Sequence, residues 1–149
     1  MSDELGAIHQ YMYFHFHCDD QGLDLLANLF KQTAIVEMTH LERLAERILF
    51  LKGDVAMTAN QPVQQIKTIK EMLELAAAME KEGAKEYNSW ANECAAHSDA
   101  ISKQLFESLL ADEEKHFDQF DKELANIAKF GANYLALQSI ERSKVALEK

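Results

Sequence analysis

The feature that most constrains this chain is a repeated set of charged residues on helix faces that ought to be apolar. Apolar residues recur at alternating steps of three and four, the pattern of amphipathic helices that pack along one inward seam. In the first helical stretch that seam is Glu4, Ile8, Tyr11, His15 and Cys18. In the second it is Leu26, Phe30, Thr33, Glu37, His40 and Leu44. The third carries Ile69, Leu73, Ala76, Glu80, Gly83, Tyr87, Trp90 and Cys94, and the fourth carries Phe106, Leu109, Glu113, His116 and Phe120. The seams are mostly apolar, and Glu4, Glu37, His40, Glu80, Glu113 and His116 stand out against them. Glu4 and Glu37 lie 33 residues apart, and so do Glu80 and Glu113. Each second Glu is followed three residues later by a His, and Tyr11 and Tyr87 each lie seven residues after the first Glu of their half. The two helix pairs are related by a hidden repeat, and a pseudo-two-fold bundle brings their halves face to face.

Four carboxylates on inward faces repel one another and lose their hydration. Left alone, each costs several kcal/mol or shifts its pKa until it is neutral. No Lys or Arg lies on these seams to pair with them. Two divalent cations match the charge of four carboxylates, and a set of carboxylates and imidazoles suits iron or manganese better than copper(I). A Glu and a His at i and i+3 share a helix face, so each pair grips one ion from one side. One Glu from each of two helices and a Glu-x-x-His from each of the other two form the ligand pattern of di-iron carboxylate bundles. A single Glu-x-x-His is a weak signal; two at equal spacing on inward seams are a strong one.

The rest of the chain agrees with an all-α, four-helix bundle in one domain, residues 1–149. Nearly half of the residues are apolar, and there are only five glycines and one proline. The first helix is expected over Ser2 to Asp20, with a break at Gln21-Gly22. The second runs from about Leu23 to Lys52 and stops at Gly53. Gly53 to Gln65, with Pro62, reads as a long crossover. The third helix runs from about Ile66 to His97. Ser98-Asp99 supplies a cap for the fourth, Ala100 to Phe130, which Gly131 ends. A short fifth helix is expected from Ala132 to about Leu147. Cys18 and Cys94 belong to no Cys-x-x-Cys and read as reduced thiols of a cytoplasmic protein. No signal peptide or membrane-length apolar run is present, so no membrane is expected. A formal net charge of -10 excludes nucleic-acid binding through a basic surface.

The segments Glu4-Leu-Gly-Ala-Ile-His-Gln-Tyr, Glu37-Met-Thr-His40-Leu-Glu-Arg-Leu, Glu80-Lys-Glu-Gly-Ala-Lys and Asp112-Glu-Glu-Lys-His116 resemble bacterioferritins. The resemblance extends over nearly the whole chain and implies a ferritin-like bundle. It implies that Glu4, Glu37, His40, Glu80, Glu113 and His116 are ferroxidase ligands for two iron ions, with Glu37 and Glu113 bridging them. Fe(II) would be oxidised there by O2 or H2O2 and stored as Fe(III) in a hollow shell of twelve or twenty-four copies built from two-fold dimers. Met38 sits off the seam, on a second apolar stripe with Ala27, Ile35, Leu41 and Ala45. The resemblance implies that Met38 binds haem, or a related Fe-porphyrin, at a two-fold dimer interface. Leu5, Ile8 and Met12 would line that pocket and Lys31 would meet a propionate. Plain interface packing is the alternative for Met38.

The chain also departs from that family. Only three residues precede Glu4, where bacterioferritins usually have several more helical turns, so it reads as a short variant. Gln32 and Val36 occupy inner-wall positions where members often carry a His and an Asp. Gln119 replaces an aromatic often found after the last His. Tyr11 is a candidate redox-active residue, or a core tyrosine bonded to a ligand carboxylate. His15 reads as a satisfied core histidine, and His9, His17 and His97 as surface residues. Two other functions are compatible with the bundle: a rubrerythrin-like di-iron peroxidase, though the Cys-x-x-Cys module usual there is missing, and a porphyrin-binding electron-transfer protein centred on Met38.

Overall fold

A computed structural model describes residues 1–131 and 133–137. Four long helices account for most of it: α1 (Ser2–Asp20), α2 (Asp24–Phe50), α3 (Ile69–Ala96) and α4 (Ala100–Phe130). α1 packs chiefly on α2, and α3 on α4. Short turns join the helices of each pair, and the long crossover joins the pairs, as expected for this kind of bundle. Residues 133–137 are helical; the rest of the expected fifth helix lies outside the described residues.

The helix ends follow from local chemistry. α1, α2 and α3 each close with one residue in the left-handed region, at Gly22 (φ 73°), Lys52 (φ 67°) and Ser98 (φ 60°). In each case the next amide reaches back to a carbonyl of the last turn: Leu23 to Cys18, Gly53 to Ile48 and Asp99 to Cys94, all at 2.9 Å. This satisfies carbonyls that the helix leaves open. The stop expected at Gly53 is therefore made one residue earlier, by Lys52. α4 starts at a true cap, for the Asp99 carboxylate accepts from the Ser102 amide at 3.0 Å. Asp99 also accepts from Arg47 Nη2 at 2.8 Å, and Arg47 Nε donates to Ser102 Oγ at 2.8 Å, which ties α2 to the start of α4.

α3 begins at Ile69, three residues later than the periodicity predicts. The cause is a reciprocal amide pair. Gln10 Nε2 donates to the Gln64 carbonyl at 3.0 Å, and the Gln64 amide donates to Gln10 Oε1 at 2.7 Å. The crossover is held against α1, and Thr68 remains extended as the N-cap. A second staple lies nearer the start of α1. The Asn60 amide donates to the Ser2 carbonyl at 3.1 Å, and Asn60 Nδ2 donates to Asp3 Oδ1 at 2.7 Å.

Two apolar clusters fill the interior, one on each side of a polar layer. The larger includes Tyr11, Phe14, Leu26, Phe30, Met72, Leu73 and Phe120. The smaller is built on Leu44, Tyr87 and Leu109, with Trp90 and Phe106 against them. Stacked and tilted rings join Tyr11, Phe30 and Phe120 at centroid distances of 5.5–6.3 Å. His15 is half-buried, with Nδ1 2.9 Å from the Ala27 carbonyl, so it is satisfied as expected. Cys18 and Cys94 are free thiols, and burial pushes the Cys18 thiol up to about 12, which leaves it unreactive. Among the described residues no helix is long and apolar enough to cross a membrane.

Candidate metal centre

The layer between the two cores contains all six residues singled out by the repeat. Glu4, Glu37, His40, Glu80, Glu113 and His116 are each at most 5% exposed. Helical phase explains the placement: each lies on the inward seam of its helix, with apolar seam residues one or two turns before or after it. Tyr11, Phe30, Leu73 and Phe120 lie seven residues from a Glu of the layer on the side of the large core, and Leu44 and Tyr87 on the other side.

The donor atoms converge into two overlapping groups. Glu4, Glu37, His40 and Glu113 form one, and Glu37, Glu80, Glu113 and His116 form the other. Within each group the candidate ligand atoms lie within 4.8 Å of one another. Glu37 and Glu113 belong to both. His40 Nδ1 lies 2.9 Å from Glu37 Oε2, 3.2 Å from Glu113 Oε1 and 3.8 Å from Glu4 Oε2. His116 Nδ1 lies 2.9 Å from Glu37 Oε1 and 3.1 Å from Glu80 Oε2. The two imidazoles are 6.1 Å apart, centre to centre. Glu37 Oε1 and Glu113 Oε1 are buried without a well-aligned hydrogen-bond donor. Buried carboxylate oxygens at the shared position, with imidazole nitrogens as their near neighbours, are what a pair of cations would satisfy.

Without cations, protons hold this cluster together. Burial raises Glu4 to about 10, with Glu37 beside it adding to the effect. Burial likewise raises Glu80 to about 8 and raises Glu113. Burial also opposes the charged form of Glu37, but the imidazoles of His116 and His40 outweigh it and hold Glu37 at about 2. For His40 and His116 burial works against the cation, and the surrounding carboxylates override it, raising each to about 10. At neutral pH the cluster therefore contains imidazolium rings, an ionised Glu37 and protonated carboxyls.

Tyr11 is fully buried, and its hydroxyl donates to Glu80 Oε1. Burial, then Glu80, pushes its pKa upward, so the phenol stays protonated. Tyr87, its counterpart in the repeat, packs instead against Trp90 and Phe106. A cleft of about 220 Å³ reaches the carboxylates from the surface beside the crossover, and Asp3, Asn60, Glu82 and Glu86 line it with Glu4 and Tyr87.

A family model described as a ferritin-like domain matches residues 1–130. The bacterioferritin of Brucella melitensis is 35% identical over 86% of this chain and 80% of its own length. That of Rhodobacter capsulatus is 34% identical over 92% and 85%. A crystal structure of Desulfovibrio desulfuricans bacterioferritin, solved for its diiron site in different catalytic states, superposes with a TM-score of 0.89 at 32% identity. It covers 91% of this chain and 80% of that one.

The chain belongs to the bacterioferritin family.

Two further residues shape the centre of this bacterioferritin-family chain, and the seam pattern assigns neither of them a role there. A Cβ added at Gly83 would lie 2.6 Å from Glu113 Oε2, so the glycine makes room for that carboxylate. Asp112 stands one residue before Glu113, and its Oδ2 lies 3.4 Å from His40 Nε2. Gly83 was visible as the one seam position without a side chain, and Asp112 as an acid beside a ligand. Met38 is not part of this centre; it lies on the outer face of α2 and is 54% exposed.

Two outcomes follow. Groups protonated at neutral pH must give up protons to bind a divalent ion, so affinity rises with pH and binding releases protons. Titration of the metal-free protein with zinc(II), in buffers of different ionisation enthalpy, should show release of at least about two protons per loaded chain. Identical heats in both buffers would contradict this. Gly83→Ala should hold or raise the melting temperature of the metal-free protein, since Ala exceeds Gly by up to about 1 kcal/mol in a helix. The same change should weaken divalent-metal affinity roughly tenfold or more by displacing Glu113; unchanged affinity would show that the glycine is incidental.

Proposed function

We propose that this chain is a ferroxidase and iron store. Two Fe(II) ions are its substrates. Glu4 and His40 hold one, Glu80 and His116 hold the other, and Glu37 and Glu113 bridge them. The observation that carries this reading is the pair of overlapping ligand groups that share Glu37 and Glu113. Each Fe(II) gives one electron, and the pair passes to dioxygen, taken to peroxide, or to peroxide, taken to water. Carboxylates stabilise the Fe(III) product through their negative charge. The acidic cleft draws Fe(II) toward the centre, as a field of one sign concentrates a cation. Tyr11, bonded to Glu80, holds that ligand and is the candidate redox-active side chain beside the metals.

Storage requires a shell. Several large apolar side chains on the outer faces of α1 and α2 are exposed on a single copy, among them Phe16, Ile35, Met38, Leu49 and Phe50. Patches of this kind favour self-association, here into two-fold dimers and then a cage of twelve or twenty-four copies in the cytoplasm. Met38, 54% exposed on the outer face of α2, would give the dimer a thioether for a haem iron, with the half-buried Leu5, Ile8 and Met12 of α1 as candidate lining. Iron oxidation does not depend on that porphyrin.

Replacing Glu37 or Glu113 by Ala should reduce rapid Fe(II) oxidation in air, followed by absorbance, by more than about 100-fold, since each removes a ligand of both ions. Met38→Ala should abolish any Soret band while leaving iron oxidation intact. Wild-type oxidation rates in either Glu variant would reject the ferroxidase assignment.

A further inference from the structure

The hidden repeat makes the two halves of the centre alike in ligands, and the structure makes them unlike in support. His40 faces the carboxylates through Nδ1, and its other ring nitrogen lies 3.4 Å from Asp112 Oδ2. An imidazole that binds a metal through Nδ1 must carry its proton on Nε2. A carboxylate at Nε2 selects that tautomer and fixes the plane of the ring. The matching position in the other half, one residue before Glu37, is Val36. Among the described residues both ion-pair partners of His116, Glu37 and Glu80, meet its Nδ1. His116 also lines a surface cleft with Gln32, Val36, Lys115 and Gln119. No carboxylate lines that cleft to accept a hydrogen bond from the ring, and Lys115 is a donor.

We propose that Asp112 is a positioning residue for His40 and that it makes the two metal positions unequal. The half built on Glu4 and His40 fills first and holds its ion more tightly. The half built on Glu80 and His116 fills second and releases first, on the side of the cleft beside Val36. This rests on the two-metal reading above and adds an order of filling to it. The order is set by ring orientation, because Glu37 and Glu113 belong to both ligand groups and Tyr11 holds Glu80 through Oε1, the oxygen that does not face His116.

Anaerobic titration of the metal-free protein with cobalt(II), read from its visible absorption, tests both readings separately. Two ions per chain in two classes, separated by about tenfold to 100-fold in affinity, are expected. Asp112→Ala should weaken the first class by that factor and merge the two, and Asp112→Asn, which keeps an oxygen acceptor, should restore part of the difference. Val36→Asp should tighten the second class. Asp112 is partly exposed, its side chain 38% accessible, so these variants should fold, and unchanged melting of the metal-free forms checks that they do. Two ions of equal affinity in the unmodified protein, or an Asp112→Ala variant that keeps the original separation, would overturn the proposal and leave the two-metal reading intact. Failure to bind two cobalt ions at all would instead reject the two-metal reading.

Discussion

Six ionisable side chains share one buried layer between two apolar cores, and the rest of the structure is arranged around that layer. Four carboxylates withdrawn from water would each cost several kcal/mol if nothing neutralised them. Two responses are open to the chain. Protons neutralise the cluster when no metal is present, which is why Glu4 and Glu80 are raised while Glu37 stays charged between two imidazolium rings. On the proposed reading divalent cations would do so in place of those protons. The same burial that makes the layer costly without a partner strengthens its hold on a cation, because no water competes for the carboxylates.

The apolar cores determine where this layer sits. Seam residues one or two turns from each ligand are locked into the two clusters, so no Glu or His of the layer is carried on a loop. Ligands carried on packed helices are held more precisely than ligands on loops. The crossover contributes from outside. Gln10 and Gln64 pin it along α1, and Asn60 pins it to Ser2 and Asp3 at the mouth of the cleft. Tyr11 links the layer to the large core, with its ring among Phe30 and Phe120 and its hydroxyl on Glu80.

Much of this was legible in the sequence because it depends on helical phase. Glu37, His40, Glu113 and His116 recur with the same steps as the apolar seam, so burial of the seam carries them inward. The bounds of α1 and α4 follow from Gly22 and Asp99, whose chemistry is local. What the sequence did not disclose depends on contacts between distant segments. The late start of α3 comes from Gln10 on another helix. The closure of α2 at Lys52 rather than Gly53 is a choice between neighbouring residues that the last turn makes. Gly83 matters only because Glu113, thirty residues on, occupies the space of its missing side chain. Asp112 looks like one acid among many until α4 is laid against α2, where it meets His40 rather than solvent alone.

On the proposed reading this layer holds two cations between Glu37 and Glu113. Anomalous diffraction from crystals loaded with manganese(II) without oxygen tests it most directly. Two peaks per chain are expected, about 3.5–4 Å apart, one beside His40 Nδ1 and one beside His116 Nδ1, with Glu37 and Glu113 contacting both. No peak in the layer, or a single peak bound by one half alone at saturating metal, would contradict it.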